Sequence, residues 1–489
     1  MTEEVRQLKQ AYADLKEKAA RKDQRIEELE ALLMRALLRI EELERGLGKD
    51  SHNSSKPPSS DGLSRKGNQL RPKSEKPSGG QVGHQGHTLQ QVATPDRVIT
   101  HHPTHCEACQ CDLQHEAGQI KERRQIHELP DLRLQVTEHQ VFTIYCPMCQ
   151  HRTSACFPTG IDAPAQYGPR VQALAVYLSQ FQLLPLERIS ELFTDLQLGQ
   201  ISEGSLTNWI AEAARRLSPT MQTLKGLLLR SPLDHVDETG TRIKGLLHWV
   251  HVNGTQWLTL YSWHRKRGQE AMDTIGILPH YTGRAMHDRL SSYDHYSCQH
   301  SVCGAHLLRD CLWVVEREKL AWAQQMYDLL RRMAQAAAQW RAQGAKALPK
   351  TERDEWIAQY FSLLADGFAA HLAQAPPEGD PQPKKQGRQK QLDSKNLLDA
   401  LLKRAEQVLA FLDDLCVPFT NNLAERDLRM SHPFSKRFPA PFAASKEPRL
   451  FTPFAGICLP CDCLGRSRLS ALAAVFEGTL FPIVWEPGT

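Results

Sequence analysis

A chain of 489 residues, 41% hydrophobic and 24% charged, is longer than one core usually supports, so a multidomain α+β protein is expected. A net charge of +4 does not by itself demand a nucleic-acid partner, and no apolar run approaches the length of a membrane span. The start, MTEEVRQLKQ, has no apolar core, so the expectation is a cytoplasmic protein whose thirteen cysteines are metal ligands or free thiols rather than disulfides.

Residues 1–48 carry a seven-residue repeat. Val5, Leu8, Tyr12 and Leu15 open a seam that runs on to Ile40, Leu43 and Leu47 in alternating steps of three and four. That period predicts a left-handed coiled coil, and its single apolar stripe predicts a homodimer or higher assembly through residues 5–47. A solvated helix folded back on its own chain is the alternative. Residues 49–97 change to Ser, Pro, Gly and Lys and read as a basic linker. It is either a plain tether or a tether that also touches phosphates.

Residues 98–160 contain Cys106-Glu-Ala-Cys109 and Cys146-Pro-Met-Cys149, with the strand-like run LRLQVTEHQVFTIY between them. Two such knuckles joined by a β-hairpin predict a zinc ribbon, with Cys106, Cys109, Cys146 and Cys149 holding Zn2+ as a tetrahedron of thiolates. Cys111 is near enough to compete, but the second knuckle supplies the pair needed. Residues 161–230 read as helical. A helix, a turn near Gly199 and a helix from Glu203 to Ala214 suit a helix-turn-helix that contacts DNA, a motif that also occurs as a bare packing unit.

From Leu233 the pattern becomes three strands, a helix and a fourth strand, an α/β layer. Asp237 ends the first strand and Asp288 the fourth. A helical insertion over about 307–415 follows, broken by PPEGDPQPKKQGRQKQ, whose Lys384, Lys385, Arg388 and Lys390 read as a solvated face. Then VPFTNNLAERDLRM offers Asn421 or Asn422 as a helix cap and Glu425 in the first turn. Each acid alone is most often a surface carboxylate. Three converging carboxylates need a cation, and hard oxygen donors favour Mg2+ or Mn2+. A pair of such ions can serve phosphodiester chemistry with water or a DNA 3′-hydroxyl as nucleophile. Glu238 adjoins Asp237 but should face the other side of the strand. Asp294 lies beyond the strand end.

These segments resemble the insertion sequence 66 transposases over nearly the whole chain. The similarity rests on the leader coil, NSSKPPSSD at Asn53–Asp61, GGQVGHQGHTL at Gly79–Leu89, the paired CxxC, DETG at Asp237–Gly240, HDRLSSY at His287–Tyr293, CGAHLLRD at Cys303–Asp310 and NNLAERDLR at Asn421–Arg429. The resemblance implies a ribonuclease H-like core over 231–430 with an Asp-Asp-Glu triad, here Asp237, Asp288 and Glu425. It also implies cutting and joining of double-stranded DNA ends with divalent metal. His306, Arg309 and Arg429 become candidates for phosphate contact, with structural packing of His306 and Arg309 as the plain alternative. Companion transposition proteins are left open.

Residues 431–489 form a tail. Where the family has a segment like KISGxFRSxxGA, this chain has Lys436 to Arg449 instead. Codons for Lys436 to Ala440, read one base earlier, allow Lys-Ile-Ser-Gly, and by Leu469 the printed frame is family-like again. The expectation is that about 431–468 is translated out of frame between two compensating shifts. A diverged loop, or a knuckle of Cys458, Cys461 and Cys463, is the alternative. The function expected is a metal-dependent transposase. A DNA-binding remnant without catalysis and a nuclease that cuts without joining are the competing readings.

Overall fold

The computed structural model describes residues 88–243, 246–373, 391–428 and 467–479, with a few helical positions between 22 and 35. The coiled-coil seam as a whole, most of the linker, the basic loop at 384–390, Arg429 and nearly all of the 431–468 stretch lie outside the described residues. The chain divides into two compact units, one comprising 71–166 and 187–203, the other the remainder.

In the first unit the regular structure is sparse. Strands β1 (Thr143–Tyr145) and β2 (Arg152–Ser154) pair antiparallel, and an isolated bridge joins His105 to Asp112. The hairpin expected between the two knuckles does not form among the described residues. Of LRLQVTEHQVFTIY only the last three residues form a strand, and each short antiparallel pairing closes over its own CxxC turn. A strand forms where it has both a partner and a face to bury. Val136 is 87% exposed, so its run has no layer to cover it. Most of helix α2 (Leu186–Asp195) also belongs to this unit.

The second unit opens with helices α1 (Pro169–Gln180) and α3 (Glu203–Leu228). The helix expected to end near Ala214 runs on through Pro219, because its apolar positions continue: Leu217, Leu224 and Leu228 are buried like Leu206 and Ile210. Five strands follow as one sheet in the order β5-β4-β3-β6-β7. They are β3 (Leu233–Ile243), β4 (Leu246–Gly254), β5 (Thr259–His264), β6 (Arg284–His287) and β7 (Gln299–Val302). The first three are antiparallel neighbours, and β6 and β7 run parallel to β3. Helix α4 (Gln269–Ile275) supplies the crossover that a parallel neighbour needs.

After β7 come α5 (Gly304–Glu318), α6 (Ala321–Ala342), α7 (Lys350–Ala373), α8 (Asp393–Lys403) and α9 (Ala405–Asp413). Their apolar stripes meet in one core that reaches the sheet through Met286 and Val302. The chain then returns as α10, residues 422–428, and the last described helix, α11 (Arg468–Glu477), packs on α1.

One junction sets where α10 begins. The Gly304 amide donates to Phe419 O (2.8 Å), and a Cβ at Gly304 would lie 2.2 Å from the Phe419 ring. Gly304→Ala is therefore expected to cost about 1–3 kcal/mol by overpacking, read from denaturant unfolding. An unchanged midpoint would contradict this packing.

Candidate active site

Asp237 sits on central strand β3, opposite Val252 of β4. Val252 packs with Val250 and Tyr261 against Ala424 and Leu428 of α10. Paired residues across antiparallel strands share a face, so Asp237 lies on the face covered by α10. The parallel register Leu233–Arg284 and His235–Met286, continued two residues, brings Asp288 alongside Asp237 just past the end of β6. Asp288 is held there by accepting the Leu290 amide (3.0 Å).

Helix α10 is bolted to the sheet at both ends. Asp427 Oδ2 accepts from Thr259 Oγ1 (2.7 Å), and Tyr261 OH donates to Asp427 O (2.9 Å). At the other end, Asn421 occupies the cap position, but its side chain does not cap. Its Nδ2 donates to Val236 O (2.8 Å), and its Oδ1 accepts from His235 Nδ1 (2.8 Å). Its own amide donates to Cys303 Sγ (3.1 Å), and its carbonyl accepts the Glu425 amide (3.2 Å). Burial pushes the His235 pKa down, so the ring is neutral and its proton lies on Nδ1 toward Asn421.

Among the described residues the three acids do not form a group with ligand oxygens all within 4.8 Å, but their charges reach one another. The Asp237 pKa is raised well above the usual carboxylate range, first by burial, then by the charges of Glu238, Asp288 and Glu425. Glu425 Oε1 is buried with no hydrogen-bond partner among the described residues. Repelling carboxylates with an orphaned oxygen are the surroundings a divalent cation neutralises, and an all-oxygen donor set fits Mg2+ or Mn2+.

Glu238 points the other way. Its carboxylate accepts from Tyr293 OH (2.6 Å) and from Arg267 Nε (2.8 Å). Arg267 is a residue that sequence reasoning missed. It also lies 3.6 Å from Asp288 Oδ2 and stacks over Trp249, and nothing in WHRKRG singles it out. Asp294 is committed elsewhere, to a two-pronged ion pair with Arg404.

His306 and Arg309 lie on the first two turns of α5. His306 is buried, its Nδ1 has no partner among the described residues, and burial followed by the Arg309 charge brings its pKa down to about 4. Arg309 Nε is also buried with no partner among the described residues.

The two cysteine knuckles have the same internal geometry. In each, the Gln after the second cysteine has a left-handed φ, 61° at Gln110 and 58° at Gln150. Its amide donates to the first cysteine's carbonyl, at 2.9 and 2.8 Å. Backbone amides of Cys109 and Ala108 hold the Cys106 thiol down to about 7, and those of Cys149 and Met148 lower Cys146 in the same way. The structure gathers Cys106, Cys109 and Cys111 within 4.8 Å of one another, and Cys146 and Cys149 do not join that group. Cys111, set aside in favour of the second knuckle, thus stands with the first.

Comparison with known families gives two matches. A family described as "Transposase IS66 family" matches residues 164–439, and one described as "Family of unknown function (DUF6444)" matches residues 3–90. No curated protein matches the chain. Among the described residues no helix is long and apolar enough to cross a membrane.

Proposed function

The chain belongs to the IS66 family of transposases, and from that premise we propose a metal-dependent enzyme that cleaves insertion-sequence ends and joins them to target DNA. Asp237, Asp288 and Glu425 are the acids proposed to hold Mg2+ or Mn2+. The observation that carries this is geometric: the continued β3–β6 register sets Asp288 beside Asp237, on the sheet face that α10, the helix bearing Glu425, covers. The mixed five-stranded order, antiparallel on one side of β3 and parallel on the other, supports a ribonuclease H-like core.

When bound, a pair of ions would lower the cost of the attacking hydroxyl and of the leaving oxygen. The chain's own residues do the rest. Asn421 fixes the start of α10 and so the reach of Glu425. Arg267 balances Glu238 and restrains Asp288. Arg309 is proposed to meet a phosphate, the group that would satisfy its unpaired Nε.

The test is a gel assay on terminal-repeat DNA. Nicked and joined products that require Mg2+ or Mn2+ are expected. End binding with no metal-dependent product would contradict the reading, and cutting without joining would leave only a nuclease. A second reading, a remnant that binds ends without catalysis, has one observation in its favour. The family match stops at residue 439, within the Lys436–Ala440 stretch where a one-base shift would spell Lys-Ile-Ser-Gly. A frame-corrected chain that cleaves beside a printed chain that does not would establish it.

Metal affinity should depend on pH. A raised pKa means that Asp237 holds its proton to higher pH, and a cation must displace it. Mg2+ binding is expected to weaken about tenfold per pH unit below that pKa. Calorimetry in buffers of different ionisation enthalpy should show proton release that Asp237→Asn abolishes. Affinity that is flat with pH would contradict the assignment.

Zn2+ is proposed for the knuckles as a ribbon of Cys106, Cys109, Cys146 and Cys149. Metal analysis should then find zinc lost in Cys146→Ser and retained in Cys111→Ser. The reverse would make Cys111 the ligand. DNA contact through the helical region, and self-association through residues 5–47, complete the proposal.

A further inference from the structure

Cys303 and His306 take no part in the carboxylate chemistry above, yet both bring a donor atom to Glu425. One atom each of Cys303, His306 and Glu425 lies within 4.8 Å of the other two. The first two stand three residues apart at the start of α5, which puts them on one face of its opening turn.

Two of the three leave a buried polar atom unpaired among the described residues, and the third is a buried thiol. Cys303 is fully buried, and its sulfur accepts the Asn421 amide (3.1 Å). Burial and the Glu425 charge push the thiol up to about 11, against the Asn421, Ala305 and His306 amides that favour its thiolate. Without metal it is therefore a neutral S–H, but one already ringed by donors that would support the anion. His306 is 8% exposed, neutral, and leaves Nδ1 unpaired among the described residues. Glu425 leaves Oε1 unpaired in the same sense. Buried polar atoms without partners are costly, and both residues that leave one unpaired also bring a donor atom to this thiol, which a shared ligand would satisfy.

We propose that Cys303, His306 and Glu425 form a second cation site, selective for a borderline-soft divalent ion of the Zn2+ class. A thiolate, an imidazole and a carboxylate match Zn2+ or Co2+ and mismatch Mg2+, whose ligands are oxygens. Binding forms the metal–sulfur bond and releases the thiol proton to solvent. The site shares Glu425 with the proposed catalytic acids. An ion seated here pulls that carboxylate away from Asp237 and Asp288, so Zn2+ would oppose Mg2+-supported turnover rather than assist it.

Co2+ added to the full chain tests this without DNA. The unsubstituted protein should bind one more Co2+ than Cys303→Ser or His306→Gln. The difference spectrum should contain thiolate-to-cobalt charge transfer, and a large excess of Mg2+ should leave it in place. Glu425→Gln, at a partly exposed position, should keep the band but weaken Co2+ binding at least tenfold. Equal stoichiometry and superimposable spectra in the unsubstituted, Cys303→Ser and His306→Gln proteins would overturn the site. So would an unchanged affinity in Glu425→Gln. A protein that shows the band but never cleaves DNA defeats the catalytic reading and leaves this site standing, and cleavage without the band does the opposite.

Discussion

Asp237→Asn, Asp288→Asn and Glu425→Gln are each expected to lower cleavage at insertion-sequence ends on the order of a thousandfold. Binding of the same DNA should change by no more than a few fold. The substitutions keep side-chain size and remove charge, so they act on metal retention rather than packing. Glu238→Gln is the internal control. Its carboxylate is tied to Tyr293 and Arg267 on the other side of β3, so its loss should disturb local packing and cost far less activity. If Glu238→Gln abolished cleavage and Asp237→Asn did not, the assignment of faces along β3 would be wrong.

The second large effect is expected at Asn421, a positioning residue whose side chain bonds to His235 and Val236. Asn421→Ala leaves the His235 Nδ1–H and the Val236 carbonyl without partners in a buried setting. Each unsatisfied group costs about 1–3 kcal/mol. Stability should fall by that order, and with it the fixed position of α10. Misplacing Glu425 by about 1 Å should cost on the order of a hundredfold in kcat, with KM for DNA nearly unchanged. Asn421→Asp separates positioning from mere folding. It can still accept from His235 but cannot donate to Val236, so its kcat should fall between the two. Cleavage that stays at the unsubstituted level in folded Asn421→Ala would remove the positioning role.

The outline of the sheet was legible chiefly from β4 and β5, LLHWVHVNG and TLYSWH, which are rich in apolar and β-branched residues. β7 was not, since Gln299–Val302 is four residues long and begins with two polar ones. Its strand character comes from pairing with β6, which is tertiary information. Asn421 shows the same limit at one residue. Its sequence context signals a helix cap, and it does stand at the helix start. Its side-chain bonds, however, go to residues 185 and 186 positions away, which no local window contains. Arg267 and the grouping of Cys303 with Glu425 escaped for that reason too. The alternation that separates Asp237 from Glu238 is a local property of a strand, so it could be read directly.

The most direct measurement is anomalous diffraction from crystals grown with Mn2+. Manganese bound by carboxylate oxygens of Asp237, Asp288 and Glu425 together is the expected result. Manganese bound elsewhere, or bound by the two aspartates with the Glu425 carboxylate out of reach, would contradict it.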